Sequence, residues 1–294
     1  MTAKTSSLKG NMMIIVATLI WGAGYVAQSS GMYHVSPLTF NGVRFAIGGT
    51  IALLPTLFFM RRKQAGINKG TVVAGVLCGL VLCLAINLQQ FGIIHTSVAN
   101  ASFITTLYVI MVPVASFAFF RKRPSAYVWV SAGVAIVGMY FLSLSDGFYV
   151  NIGDILIFLC AICFTVQILI ISHFSPKHNV IALACVQFYV VSVVSFSLAF
   201  LFETPSLDGI SAAAPYVLYT GVLSSGVAYI LQMKAQKTTD ATIAAVLFSF
   251  EAVIAALVGW LILSQFLSPR EIFGCMLIFA AILIAQIPKP KHKN

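Results

Sequence analysis

Three side chains that can stack on a ligand or bind it through hydrogen bonds, Trp21, Tyr25 and Gln28, lie inside an apolar stretch of the sequence. Their spacing of four and then three residues places them on one face of a helix. Such a face is poorly suited to lipid, and Trp21 is too deep in its stretch for the interfacial aromatic belt. We therefore expect the three to line a polar cavity. The alternative is an aromatic belt combined with hydrogen bonding between helices.

Glu251 is the one acidic residue that lies deep inside an apolar stretch. A charge at the centre of a membrane helix costs about 2.5–3.5 kcal/mol on insertion scales, so Glu251 needs either a partner or a task. Proton exchange is one task, because an apolar cavity favours the neutral form of a carboxyl group. Balancing a substrate amine is another. The structural alternative is an ion pair with Arg44 or a hydrogen bond to a neighbouring helix. For Arg44 we favour a gating or structural role over contact with the substrate, and we expect its side chain to reach towards the outer end of its span.

The composition indicates that these residues are positioned by a membrane protein. Hydrophobic residues make up 60% of the chain and charged residues 8%, against roughly 25% charged in soluble domains. The net charge of +10 does not indicate nucleic-acid binding, because Lys and Arg lie in short clusters between apolar runs. No phosphate-binding loop occurs, and no further ligands complete a zinc site around Cys160 and Cys163. We expect a lipid bilayer and a small molecule as partners, and no nucleic acid, cofactor or metal.

The chain divides into apolar runs of about 20 residues, the length that a helix needs to cross the hydrocarbon. With the N-terminus in the cytoplasm, 15 of the 17 Lys and Arg residues lie on the inner side, Arg270 lies outside and Arg44 lies within a span. This distribution predicts that both termini are cytoplasmic. No cleaved signal peptide is expected, because the first run is too long. The ten predicted spans are residues 11–30, 38–59, 71–93, 98–120, 125–143, 152–172, 180–201, 212–232, 240–263 and 270–287.

The polar positions of the first half recur in the second half in the same order. Residues 21–28, WGAGYVAQ, resemble residues 160–167, CAICFTVQ, so that Tyr25 and Gln28 match Phe164 and Gln167. Two five-span units, residues 1–145 and 146–294, are therefore expected. Because five is odd, the second unit would be inverted, as in many secondary transporters. Chance similarity between apolar helices is the alternative. Further matches pair Gln89 with Gln232, Tyr108 with Glu251, and Arg44 with Gln187.

A common cavity between the two halves would be lined by aromatic, amide and carboxyl side chains. Ser225, Tyr229 and Gln232 repeat the spacing of four and three in the eighth span. Polar side chains also join membrane helices to one another, so hydrogen bonding between helices is the alternative role for these residues. The residues expected to bind substrate are Trp21, Tyr25, Gln28, Gln89, Tyr108, Phe164, Gln167, Tyr229, Gln232 and Glu251.

Several stretches, which together extend along nearly the whole chain, resemble the EamA-type family of the drug/metabolite transporter superfamily. They are WGAGYV in the first span, RF in the second, NASFITTLYVIMVPV in the fourth, and FSFEAVIAALVGWLIL followed by REIFGCMLIFAAIL. The resemblance implies a ten-helix inner-membrane carrier that moves metabolites, often amino acids, by alternating access. The acidic residue that this family usually carries at the end of the ninth helix is absent, and Ser264 lies near that place. No role can be transferred from that acidic residue.

We therefore expect an all-α, multi-pass protein of the bacterial inner membrane that moves small polar or zwitterionic metabolites. The resemblance favours amino acids or related amines, and export as the direction, while Glu251 suggests proton coupling. One alternative is a non-transporting structural or sensory membrane protein. A membrane-embedded enzyme is a remote alternative, because the sequence has no HExxH motif and no nucleophile motif. The oligomeric state is left open, since ten spans are enough to enclose a site within a monomer.

Overall fold

The computed structural model describes residues 8–61, 68–121, 124–143, 151–263, 268–285 and 287, and the chain is helical with no strand in these ranges. Several residues that bear on the topology lie outside the described ranges, and so does the predicted boundary between the two halves at residues 145 and 146. These topology residues are Lys4, Arg62, Lys63, Lys122, Arg123, Ser264, Lys289, Lys291 and Lys293.

The first half contains helices α1 (Leu8–Gly31), α2 (Pro37–Arg61), α3 (Lys69–His95), α4 (Val98–Thr105), α5 (Tyr108–Phe120) and α6 (Ala126–Ser143). The second half begins with α7 (Ile152–Phe174), α8 (Val180–Phe202), α9 (Leu207–Ala212) and α10 (Ala214–Leu218). A π-helical segment, Tyr219–Ala228, then leads into α11 (Tyr229–Gln236), α12 (Ala241–Phe248), α13 (Phe250–Leu263) and α14 (Pro269–Ala285).

Eight helical stretches of the described chain are long and apolar enough to cross a membrane. They correspond to all the predicted spans except the fifth and the tenth, where two shorter apolar helices lie, Ala126–Gly138 and Ile272–Ala285. The prediction of an all-helical membrane protein is confirmed. The count of ten crossings and the cytoplasmic position of both termini stay predictions.

The distribution of side chains is that of a protein surrounded by lipid. Large apolar side chains such as Phe119, Phe200 and Leu201 are more than two-thirds exposed, at 81%, 72% and 74%. Polar side chains such as Gln167 and Gln187 are fully buried. Because lipid cannot satisfy polar groups, this arrangement places them inside the helical assembly.

Polar side chains at the helix ends satisfy the first backbone N–H groups, which have no partner within the helix. Ser97 caps α4 and Asp240 caps α12, each accepting from a backbone N–H of the first turn. At α2 the cap comes from the other half. The Glu203 carboxylate, just after α8, accepts from the Leu38 and Thr39 N–H groups at 2.8 Å each and from the Thr39 hydroxyl at 2.7 Å.

The fourth and ninth spans are both interrupted at the same position of the repeat. In the fourth span, α4 ends at Thr105, and the Thr106 hydroxyl donates to the Phe103 carbonyl at 2.8 Å. In the ninth span, α12 ends at Phe248, and the Ser249 hydroxyl donates to the Val246 carbonyl at 2.6 Å. Hydroxyl groups that bond back to their own helix compete with its regular hydrogen bonds. After each interruption a new helix begins, at Tyr108 in the fourth span and at Phe250, one residue before Glu251, in the ninth.

Helices of one half pack mainly on helices of the other half. α1 packs on α13, and its counterpart α7 packs on α4 and α5. α3 packs on α7, and its counterparts, the π-helical segment and α11, pack on α1. α2 packs on its own counterpart in the second half, α8, and α6 likewise packs on its counterpart α14. The packing thus keeps its pattern when the two halves are exchanged, and it encloses a centre to which both halves contribute.

Two glycines show how closely some of these helices approach each other. A Cβ atom on Gly22 in α1 would lie 2.5 Å from the Ile254 Cβ atom and 2.8 Å from the Glu251 carbonyl oxygen in α13. A Cβ atom on Gly92 in α3 would lie 2.6 Å from Ile157 in α7. Small residues at such crossings let helix backbones approach closely in membranes. The closeness of α1 to α13 positions Glu251 beside the face that carries Trp21 and Tyr25.

Candidate substrate-binding site

A cavity lies between the two halves, at the level of the interrupted helices. Every residue that the sequence predicted for substrate binding lines it, and so does Arg44. These residues are Trp21, Tyr25, Gln28, Arg44, Gln89, Tyr108, Phe164, Gln167, Tyr229, Gln232 and Glu251. The sequence reasoning did not assign four further lining residues, Thr105, Ile168, Ser224 and Phe248.

One wall of the cavity is aromatic and is built around Trp21. Its ring centroid lies 4.9 Å from that of Tyr229 and 5.6 Å from that of Phe248, in tilted arrangements that favour ring contacts. The indole N–H donates to the Ser224 carbonyl oxygen at 3.2 Å. Ser224 belongs to the π-helical segment, whose wide turns interrupt the regular hydrogen bonding of an α-helix. The bond fixes the indole plane against the wall, where an apolar part of a ligand can pack.

Arg44 is buried beside Gln28, with 2% of its surface exposed. Its Nη1 atom donates to the Gln28 Oε1 atom at 2.6 Å, and Gln28 in turn donates to the Gly24 carbonyl at 3.2 Å. The guanidinium carbon lies 4.9 Å from the centre of the Phe45 ring and 5.9 Å from that of Phe40. The expected extension of Arg44 towards the end of its span is wrong. The hydrogen bond to Gln28 and the two ring faces hold the side chain inside instead.

The described residues compensate the charge of Arg44 only in part. Removing an ion from water costs several kcal/mol even after relaxation. A desolvated cation–π contact returns about 2 kcal/mol, and a hydrogen bond to a charged group about 1.5–3 kcal/mol. The Arg44 Nε atom is buried and has no hydrogen-bond partner among the described residues. The cavity therefore contains a cation whose hydrogen-bond donors the described residues satisfy only in part.

Glu251 has Tyr108 as its partner rather than Arg44. The Tyr108 hydroxyl donates to the Glu251 Oε1 atom at 2.9 Å, and both side chains are buried. Tyr108 and Glu251 occupy matching positions in the two halves, each in the first turn of the helix after an interruption. The proposed ion pair between Arg44 and Glu251 is therefore not formed, and the alternative, a hydrogen bond to a neighbouring helix, is what the structure has.

Apart from Gln28, which binds Arg44, the amide side chains of the cavity form two separate groups. In the first half, the Gln89 amide donates to the Tyr25 hydroxyl at 3.1 Å and lies 3.5 Å from the Thr105 hydroxyl. In the second half, the Gln232 amide donates to the Gln167 Oε1 atom at 3.2 Å. The Gln167 Nε2 atom and the Gln232 Oε1 atom are buried without a hydrogen-bond partner in the described part of the chain. This pair offers one donor and one acceptor to a polar ligand.

The repeat itself carries a signal for two of the four lining residues that were not assigned. Thr105 and Phe248 are matching positions, at the same offset of 143 residues as Gln89 and Gln232, and each ends the helix before an interruption. Ile168 and Ser224 have no such signal. An aliphatic residue or a serine in an apolar helix is far more often a packing residue than a contact to a ligand.

Comparison with known proteins gives a consistent result over the whole chain. The EamA-like transporter family matches residues 8–144 and again residues 151–286. An uncharacterized transporter of Archaeoglobus fulgidus is 32% identical over 284 residues, covering 95% of this chain and 86% of the relative. The uncharacterized transporter YoaV of Bacillus subtilis is 25% identical over 288 residues, covering 95% and 97%.

A solved crystal structure shares the fold with a TM-score of 0.80 at 18% sequence identity, over 97% of this chain and 99% of that chain. The fold therefore persists where most side chains differ. With one family matching both halves and relatives described as transporters, this chain belongs to the EamA-like transporter family and is a multi-pass membrane transporter.

Proposed function

We propose that the protein is a secondary carrier for small zwitterionic metabolites, with amino acids and related amines as the substrate class. The observation that carries this proposal is the composition of the central cavity. It combines an aromatic wall at Trp21 and Tyr229, a guanidinium group at Arg44 and a carboxyl group at Glu251. A ligand with an apolar body and two polar ends would satisfy all three.

Alternating access is the proposed mode of transport. The cavity lies between halves that pack on each other in a pattern preserved when they are exchanged. Interrupted helices from both halves meet at the cavity, at Tyr108 and Glu251. In carriers with inverted repeats, rocking of one repeat against the other opens a fixed central site to each side in turn. The same movement here would carry the substrate past the Tyr108–Glu251 contact.

Glu251 is proposed to bind either a proton or the amine of the substrate. Among the described residues, Tyr108 donates to one of its carboxyl oxygens, Oε1, and this leaves Oε2 for a second group. We propose that transport is coupled to a proton gradient and that the protein exports its substrate across a bacterial inner membrane. The family resemblance supports export as the direction. A relative in the bacterium Bacillus subtilis fits a bacterial membrane, although another relative is found in Archaeoglobus fulgidus.

Substrate counterflow in liposomes tests the proposed substrate class. Purified protein is reconstituted in vesicles loaded with one unlabelled amino acid, and uptake of the same labelled amino acid is measured for a panel of neutral, acidic and basic members. At least one member is expected to give saturable counterflow that protein-free vesicles lack. Ligand stabilisation without any counterflow would favour the sensory alternative instead. No response to any member would reject the amino-acid class.

Glu251→Gln tests the proton coupling. This variant keeps the size of the side chain and its acceptor for Tyr108 but cannot release a proton. We expect accumulation driven by an imposed pH gradient to be lost while counterflow without a gradient persists. Asp208→Asn is the matched control, because Asp208 lies at the exposed end of α9, away from the cavity. Normal gradient-driven accumulation by Glu251→Gln would reject the coupling.

A further inference from the structure

The guanidinium group of Arg44 has more hydrogen-bond donors than the chain uses. It carries five N–H donors, and the described hydrogen bonds occupy one of them, on Nη1, with the Gln28 amide oxygen. The Nε donor is buried without a partner. An arginine that serves only to join helices would have these donors on backbone carbonyls or carboxylates. The unused donors therefore indicate an acceptor that the described residues do not supply.

We propose that Arg44 is the carboxylate-binding residue of the cavity, a role that rests on the proposed function and deepens it. A carboxylate has two oxygens in one plane and suits the planar fork of a guanidinium group. Gln28 holds Nη1 from one side, and the Phe45 ring lies 4.9 Å from the guanidinium carbon. These two contacts fix the plane of the group while leaving other donors for the ligand.

Charge balance favours a carboxylate over a phosphate ester. The charged side chains that line the cavity are Arg44 and Glu251, and Glu251 is engaged by Tyr108. A phosphate monoester carries nearly two negative charges and would meet a single cation in a poorly solvated site. One carboxylate neutralises Arg44 and leaves Glu251 for an amine or a proton. The cavity is thus matched to a molecule with separated charges rather than to a dianion.

The position of Arg44 also gives the ligand one orientation. The matching residue of the second half is Gln187, which is fully buried and does not line the cavity. The binding cation therefore lies on one half only, although the fold has two similar halves. The carboxylate of the ligand would point to α2 and Gln28, and its other polar end would point to Glu251.

The test compares carboxylates with their amides. Thermal stabilisation of the full-length protein is titrated with L-leucine and L-phenylalanine and with the amide of each, and separately with benzoate and benzamide. In the wild type we expect the half-saturating concentration of each carboxylate to be at least about tenfold lower than that of its amide. This ratio corresponds to the free energy that a hydrogen bond to a charged group contributes. In Arg44→Gln this ratio is expected to fall to near one. Arg270→Gln is the matched control, because Arg270 stacks on Tyr140 and Phe141 away from the cavity.

The outcomes separate this assignment from the proposed function. A carboxylate preference that Arg44→Gln removes and Arg270→Gln keeps supports the assignment. If benzoate shows this Arg44-dependent preference over its amide and neither amino acid does, the carboxylate site at Arg44 is supported and amino acids are rejected as the substrate class. Equal stabilisation by acid and amide in the wild type, or a preference that persists in Arg44→Gln, overturns the assignment even if amino acids are transported. If Arg44→Gln does not fold, Arg44→Lys replaces it. The lysine variant keeps the charge but lacks the fork, and it is expected to reduce the ratio without abolishing it.

Discussion

Tyr108 and Glu251 are matching residues of the two halves that contact each other, and this makes their hydrogen bond sensitive to any relative movement of those halves. The bond joins α5 to α13 at 2.9 Å between two buried side chains. A bond between matching positions lies near the axis that relates the halves. Under the proposed alternating access, we therefore expect this bond to respond when the cavity opens to one side or the other.

Tyr108→Phe tests the importance of this bond. The variant keeps the ring contact with Phe248, whose centroid is 6.4 Å away, but removes the donor to Glu251. A hydrogen bond to a charged group contributes about 1.5–3 kcal/mol, so we expect the half-saturating concentration for counterflow to rise about tenfold or more. Tyr33→Phe serves as the control, because Tyr33 is 85% exposed. Unchanged saturation in Tyr108→Phe would show that Glu251 acts without this donor.

The lining of the cavity was predictable at the level of residue type, because amide, carboxyl and aromatic side chains are conspicuous in apolar runs. The direction of Arg44 was not predictable. Sequence gives its distance from a helix end, but its orientation depends on where α1 places Gln28, and that follows from packing between helices. Ile168 was missed for a related reason, since an apolar residue in an apolar helix carries no sign of the face it presents.

At the scale of the helices, the crossing of α1 and α13 depends on the absence of a side chain at Gly22. A Cβ atom there would lie 2.5 Å from the Ile254 Cβ atom. Overpacking of this kind typically costs about 1–3 kcal/mol. Gly22→Ala is therefore expected to lower the melting temperature and to weaken counterflow, because Glu251 is displaced together with α13. In Gly133→Ala, a Cβ atom would meet nothing within 4 Å, and this control should melt at or slightly above the wild-type temperature.

Glu203 links the end of α8 to the start of α2 and gives a second prediction at this scale. Its carboxylate accepts from two backbone N–H groups and one hydroxyl group. Helix caps contribute about 0.5–2 kcal/mol, and a negative charge at a helix N-terminus adds to this. Glu203→Ala is expected to lower the melting temperature by several degrees in detergent, whereas Asp208→Asn should leave it near that of the wild type. Equal melting temperatures would show that water replaces the cap at no cost.

The positions of the spans were predictable from the lengths of the apolar runs, and their interruptions were not. The fourth and ninth spans were expected to be continuous over residues 98–120 and 240–263, yet they break at Thr106 and at Ser249. Ser and Thr are common in membrane helices and usually bond back to their own helix without ending it. A Thr or a Ser inside an apolar run therefore does not by itself predict that the helix ends there.

For the whole molecule, the central prediction is that the two halves have opposite orientations in the membrane. Five crossings per half require this, and both chain ends then lie in the cytoplasm. Single cysteines placed at residues 3 and 292 in a cysteine-free background are expected to react with a membrane-impermeant thiol reagent only after the cells are opened. A cysteine in place of Asp208 should react in intact cells. Labelling of the two ends from opposite sides would remove the basis for an inverted repeat.

The π-helical segment Tyr219–Ala228 makes the molecule less symmetric than its repeat implies. The matching stretch of the first half, residues 76–85, lies within the regular helix α3. The two halves therefore differ in local shape at this segment, and under the proposed cycle the inward-open and outward-open states are not mirror images in free energy. Microscopic reversibility requires only that an unaided carrier have the same ratio of maximal rate to half-saturating concentration at both membrane faces. The two quantities are therefore free to differ between the faces together, so that such a carrier dissipates a gradient in either direction but saturates differently according to the side from which it is loaded.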